Sequence, residues 1–164
     1  MKKFLLLFFC FSTCLIYGQL VWEETNTGTS ATISVGEFPV WEMEDPTLNG
    51  AELPVGSLIG VFYVGDDGGY YCGGGETWLG EGLIALGPWG DDSTTGVIDG
   101  FSEGETFNWF VRVCDSDCWD DLDGDGILDS GEVLDGTDYF ASSAQMVPSN
   151  GQLTGTVYTT NALA

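Results

Sequence analysis

The sequence predicts an all-β fold, an antiparallel two-sheet β-sandwich of about eight strands with one acidic loop inserted between them. Three observations carry this expectation. Glycine, 25 residues in all, punctuates the chain every few positions. No long window shows a 3.6-residue apolar period with helix-forming composition. Short runs rich in Val, Ile, Thr and aromatics lie between clusters of Gly, Asp and Asn instead, the signature of strands and turns.

The first segment stands apart from the fold. Lys2 and Lys3 precede an apolar run over residues 4–16, and Tyr17-Gly18 ends in a small residue. This reads as a secretory signal peptide over residues 1–18, cleaved after Gly18. The run falls short of the ~20 residues that a membrane span needs, and neither Cys10 nor Cys14 lies in a lipobox. Residues 19–164 then form a single module, expected to be secreted or at the cell surface, with no membrane insertion after cleavage.

Candidate strands follow in order at residues 29–35, 57–64, 70–72, 77–79, 83–86, 106–113, 137–142 and 154–158. The run 57–64 is apolar on both faces and reads as a central strand. In 106–113, Phe107, Trp109, Val111 and Val113 alternate with Thr106, Asn108 and Arg112, which fits one face in a core and one near solvent.

Composition narrows the function. Once the leader is removed, Arg112 is the one basic residue against 26 acids. Such a surface repels nucleic acid and anionic membranes and attracts cations; it also keeps a protein soluble in salty water. Hydrophobic residues at 43% leave enough for a core, so the charge does not imply disorder. No histidine occurs, which excludes Ser-His-Asp and Cys-His catalysis, His-ligated zinc and attached c-type haem. Cys72, Cys114 and Cys118 remain outside the leader, enough for one disulfide and one left-over thiol in an oxidising compartment.

The strongest motif spans residues 121–132. Asp121, Asp123, Asp125, Asp129 and Glu132 fall at positions 1, 3, 5, 9 and 12 of a twelve-residue loop, with Gly126 at position 6. A tightly wound loop converges alternate side chains on one centre, and Ca²⁺ takes six to eight hard oxygens. Gly126 permits the sharp turn, Ile127 offers its carbonyl, Asp129 acts through water, and Glu132 closes the site with both oxygens. Leu128 occupies an apolar anchor position. The flanks read as β rather than helical, so the loop resembles an EF-hand or thrombospondin type 3 loop grafted between strands, over these twelve residues only. Without a rigid helix pair its affinity falls in the roughly 10⁻⁴–10⁻³ M class of extracellular modules. Asp135 and Asp138 are further candidate ligands, read mainly as turn residues.

Other constellations compete with plainer readings. Six tryptophans invite a glycan platform, with Trp22, Trp41, Trp78 and Trp119 as candidates and Trp119, beside the loop, the best of them. Core packing is the competing reading, foremost for Trp89 and Trp109. Asp66-Asp67 and Asp91-Asp92 resemble catalytic carboxylate pairs, but lie in turns where Asp caps backbone amides. Arg112 fits a cross-strand ion pair better than a ligand site.

Several pieces follow one another along the chain: Gly56-Ser-Leu-Ile-Gly60-Val-Phe-Tyr63, Cys72-Gly-Gly-Gly75, Trp78-Leu-Gly80, Trp89-Gly-Asp-Asp-Ser-Thr-Thr95, and Asp99-Gly-Phe-Ser-Glu-Gly-Glu105 leading into Phe107-Asn-Trp109. Over residues 22 to about 114, and again over 154–161, the chain resembles a secreted β-rich module of marine Bacteroidetes multidomain surface proteins, associated with type IX secretion. The resemblance implies a surface setting and assigns no chemistry. Cys72 matches the module's Cys-Gly-Gly position, whereas Cys114 and Cys118 flank the inserted loop. This implies a Cys114–Cys118 disulfide with Cys72 free, and Cys72–Cys114 as the alternative. The chain stops at Asn161-Ala-Leu-Ala164, where such a module runs on, which suits a fragment or a short relative. The functional expectation is a non-enzymatic, calcium-binding module for adhesion or for an unidentified surface ligand such as polysaccharide. Its alternatives are a structural spacer and a carboxylate-dependent glycoside hydrolase or lyase.

Overall fold

The computed structural model describes residues 20–36 and 45–140. Among them the chain is all-β, with no helix. Nine strands are present: β1 (Leu20–Val21), β2 (Ile33–Gly36), β3 (Thr47–Leu48), β4 (Ala51–Glu52), β5 (Leu58–Val64), β6 (Tyr70–Thr77), β7 (Leu83–Leu86), β8 (Asn108–Val113) and β9 (Thr137–Phe140). The leader and its cleavage point, Trp41, residues 141–142 and the expected strand at 154–158 lie outside the described residues.

Five strands form one curled sheet in the order β1-β6-β5-β8-β9, and β2-β7 and β3-β4 form separate two-stranded pairs. The central position falls to β5, as its apolar residues on both faces require: β6 and β8 flank it antiparallel. A tight turn joins β5 to β6, where Gly65 N–H donates to the Gly69 carbonyl and Asp67 Oδ1 accepts from Gly69 N–H at 2.8 Å. The all-β class holds, whereas the expected antiparallel two-sheet sandwich is matched only in part. β1 runs parallel to β6, and β2 and β7 pair only with each other, Ile33 opposite Leu86. Residues 77–79 make no strand of their own, since β6 absorbs Thr77.

β6 is also longer than expected, because it passes through Gly73-Gly74-Gly75. These glycines make room for packing rather than a break. A Cβ would stand 2.4 Å from the Phe101 ring at Gly73, 2.8 Å from the Pro88 backbone at Gly74, and 2.5 Å from Leu128 Cδ1 at Gly75. Close approach of a neighbour is one of the few reasons for bare residues inside a strand.

The sheet buries both faces. On the first, Ile59, Val61, Tyr63 and Trp109 pack with Ile33, Ile84 and Leu86 of the β2-β7 pair, and with Trp78, Phe101 and Phe107. On the second, Leu58, Phe62, Cys72 and Phe110 pack with Trp22, Cys118 and Leu128. The face expected near solvent is thus half-covered. Asn108 and Arg112 are half-buried there, and Phe110 between them is buried. Its cover comes from the segment after β1 and from the acidic loop.

Candidate metal site

The chain leaves β8 at Val113 and is turned at once by the Cys114–Cys118 disulfide, whose Cα atoms are 5.5 Å apart. Cys72 is free and buried. Cys118 is fully enclosed; its N–H donates to the Gly56 carbonyl at 2.9 Å, and its carbonyl accepts from Leu134 N–H at 2.7 Å. Beyond it, Trp119 and Val133 form an antiparallel bridge, and Asp120 N–H donates to the Glu132 carbonyl at 3.0 Å. The two ends of residues 121–132 are thereby laced together as in a hairpin, with strand-like flanks.

Within the loop the carboxylates organise the backbone. Asp121 accepts from Gly124 N–H at 2.7 Å and from Gly126 N–H at 3.3 Å. Asp123 Oδ1 accepts from Asp125 N–H at 3.1 Å, and Asp125 Oδ1 from Ile127 N–H at 2.8 Å. Gly126 has φ +75°, a value costly for any residue with a Cβ. The winding gathers two overlapping groups of ligand oxygens, Asp121 with Asp123 and Glu132, and Asp123 with Asp125 and Asp129; within each, the oxygens lie within 4.8 Å of one another. Both groups are close enough to hold a metal ion, and Asp123 belongs to each.

Glu132 differs from the others in being buried, at 4% exposed. Burial alone would raise its pKa. Donors outweigh that effect: Leu122 N–H at 2.8 Å, the Trp119 indole at 3.3 Å and Asp129 N–H at 3.4 Å hold it below the ordinary glutamate value. It is therefore an enclosed negative charge. Asp129 is displaced the other way, raised by burial and then by the charges of Asp125, Asp123, Glu132 and Glu23. Arg112, the one basic side chain among the described residues, is committed elsewhere. Opposite Asp138 across the β8-β9 pair, it makes a bidentate ion pair, Nε to Oδ1 at 2.7 Å and Nη2 to Oδ2 at 2.8 Å. Asp138 also accepts from the Trp22 indole at 3.0 Å. Asp138 thus holds an ion pair, and Asp135 belongs to neither oxygen group.

Sequence reasoning missed Glu23 and Glu24. Glu24 N–H donates to the Leu128 carbonyl at 2.8 Å, which lays the segment after β1 along the loop. Its carboxylate accepts from Gly75 N–H at 2.7 Å and from the Trp89 indole at 3.1 Å. Burial pushes its pKa up to about 7, against those two bonds and with help from the charges of Glu76 and Asp125. Nothing local in the sequence marks this residue, since its partners come from β6, from the turn after β7 and from the loop.

The remaining candidates resolve differently. Trp22 and Trp78 are buried in the two cores. Trp119 is half-buried against the second core, its indole bonded to Glu132, so it is not an open platform. Asp67 and Asp92 cap their own turns, accepting from Gly69 and Thr94 N–H, while Asp91 and Asp66 accept from Asp99 and Ile98 N–H. Comparison with protein families, curated proteins and solved structures finds no significant match to this chain.

Proposed function

We propose that residues 121–132 bind Ca²⁺ and that the protein is an extracellular, calcium-stabilised β-module serving adhesion or the binding of a surface ligand. The observation that carries the calcium reading is Glu132. A buried carboxylate held ionised, with two aspartates at hand and no basic side chain to spare, calls for a cation from solution. Aspartate and glutamate oxygens alone, without His or Cys, suit a hard ion. Asp121, Asp123, Asp125 and Glu132 supply carboxylates, Ile127 its carbonyl and Asp129 a water-mediated contact. At the affinity expected of such a loop the site is filled by ambient calcium and acts structurally.

The binding role rests on the secretory leader, the acidic surface and the resemblance to Bacteroidetes surface modules. A spacer in a larger surface protein is the second reading, favoured by the engagement of Trp22, Trp78 and Trp119 in packing. The engagement of Asp67 and Asp92 in capping their own turns, and of Asp66 and Asp91 with the Ile98 and Asp99 backbone amides, supports a non-catalytic role. The core shared by the β2-β7 pair and the five-stranded sheet supports reading the fold as an incomplete sandwich.

Calorimetry and thermal melts test the site. Calcium at roughly tenfold its Kd should stabilise the fold by about 1.4 kcal/mol, a rise of roughly 3–6 °C for a chain of this size. Asp123→Ala with Asp125→Ala should abolish both signals. Equal calcium binding by this variant, or no response in the wild type, rejects the assignment. A glycan array probed in calcium and in chelator separates ligand binding from a spacer role.

A further inference from the structure

The acidic loop also forms part of a core. Leu128, at position 8 between Ile127 and Asp129, has no exposed surface and packs with Trp22, Leu58, Phe62, Cys72, Phe110 and Cys118. Its Cδ1 occupies the space over Gly75 that a Cβ would fill, and Cys72 Sγ borders the same space. Its carbonyl accepts from Glu24 N–H, so it ties the loop to the other segment covering this face. By contrast, Leu122 of the same loop is 71% exposed. The loop thus reaches the sheet through one apolar side chain, flanked on both sides by positions assigned to the cation.

We propose that the loop is a metal-controlled lid: a bound cation holds Leu128 down on the second face of the central sheet, and its removal opens that face and exposes Cys72. This rests on the metal site proposed above. Without a cation, Asp121, Asp123, Asp125, Asp129 and Glu132 repel one another, and their convergence is what sets the backbone on either side of Leu128. The disulfide and the Trp119–Val133 bridge fasten the base of the loop, so the tip opens while the base stays in register. Among the described residues no β-strand covers this face in place of the loop, unlike the first face, which the β2-β7 pair covers.

Cys72 is the natural reporter, since burial raises its thiol pKa well above the ordinary value and makes it inert while covered. The experiment alkylates the full chain with dilute iodoacetamide, so that reclosing outruns reaction, and reads Cys72 by peptide mass spectrometry. No reductant is added, which keeps Cys114–Cys118 intact. If calcium binds the closed form only, labelling slows by the factor 1 + [Ca²⁺]/Kd, roughly tenfold at tenfold excess. Leu128→Ala should bind calcium by calorimetry yet label at a rate calcium does not change. Should that variant fail to fold, amide hydrogen exchange across β6 in the wild type provides a second readout, with protection rising on calcium addition. Calcium binding with unchanged labelling and unchanged exchange overturns the lid and leaves the metal site standing. Absence of calcium binding overturns the metal reading itself.

Discussion

The contact between Leu128 and Gly75 can be tested apart from any metal. Leu128→Ala strips a fully buried side chain down to its Cβ, and such changes cost about 2–5 kcal/mol, depending on how far the site collapses. Here the sheet side is fixed by β5 and β6, whereas the loop side can settle, which places the cost near 3 kcal/mol. Gly75→Ala adds a Cβ that would sit 2.5 Å from Leu128 Cδ1, while Cys72 Sγ and the Ile59 carbonyl lie at an ordinary 3.5 Å. The clash is with Leu128 alone. Forcing that side chain aside should cost about 1–3 kcal/mol, reduced by about 0.4–1 kcal/mol from the stiffer unfolded chain. In the double variant the clash is gone and the alanine methyl fills part of the vacated space. Gly75→Ala, destabilising alone, should therefore become stabilising beside Ala at 128, with a coupling of about 2 kcal/mol. Urea unfolding of the four proteins at one calcium concentration gives this number from midpoints at constant slope. Additivity within about 0.5 kcal/mol would show that Leu128 does not rest on Gly75 and would remove the physical basis of the lid.

Three further outcomes follow from the same geometry. Arg112 holds Asp138 through two bonds, donates to the Leu134 carbonyl and lies 5.4 Å from the centre of the Trp22 ring. Arg112→Ala should cost about 1–2 kcal/mol in denaturant melts, with Lys restoring only part because it lacks the planar fork; full recovery with Lys would contradict that role. Glu24 titrates near 7 when folded and in the ordinary glutamate range when unfolded, so its contribution favours the folded state most below the unfolded pKa. That contribution is lost as pH rises through about 7. In chelator, unfolding melts at pH 5 and pH 8 should differ by up to about 3 kcal/mol more in the wild type than in Glu24→Gln, an equal pH response in the two proteins being the contrary result. Replacing Cys114 and Cys118 by serine opens a short covalent loop and should cost about 2 kcal/mol. Since that bond fastens the base of the loop, calorimetry should also show weaker calcium binding, and unchanged affinity would separate the disulfide from the site.

What the sequence made legible depends on how local each signal is. β5 could be read because its own residues are apolar on both faces, and Leu83–Leu86 because turn residues bound it on both sides. The acidic loop was legible for the same reason, since all its carboxylates come from one short stretch. β6 was read short because glycine in a sequence signals a break, and only Phe101, Pro88 and Leu128, all distant in the chain, show why these three are bare. The segment through Trp22 and Glu24 carries no strand pattern beyond β1, and its place is set by partners such as Gly75, Trp89, Leu128 and Asp138.

The same limit explains why the loop read as an insertion rather than as a layer. A motif for a cation ranks its positions by oxygen, and in that ranking Leu128 is a spacer between a carbonyl and a water-mediated aspartate. Packing ranks the same position first, since it is the one fully enclosed residue between Asp121 and Glu132. The sheet below shows the complementary half: Gly75 is bare where Leu128 lands, and Cys72 Sγ and the Ile59 carbonyl border the same space. A polar residue at 128 would leave every ligand of the motif in place, so the sequence pattern would still match. It would put a polar group against the Gly75 backbone with no donor or acceptor assigned to it, and such burial costs about 1–3 kcal/mol. Leu128→Asn should therefore retain the twelve-residue pattern while uncoupling calcium from the sheet, so that Cys72 labels freely whether or not the cation is present.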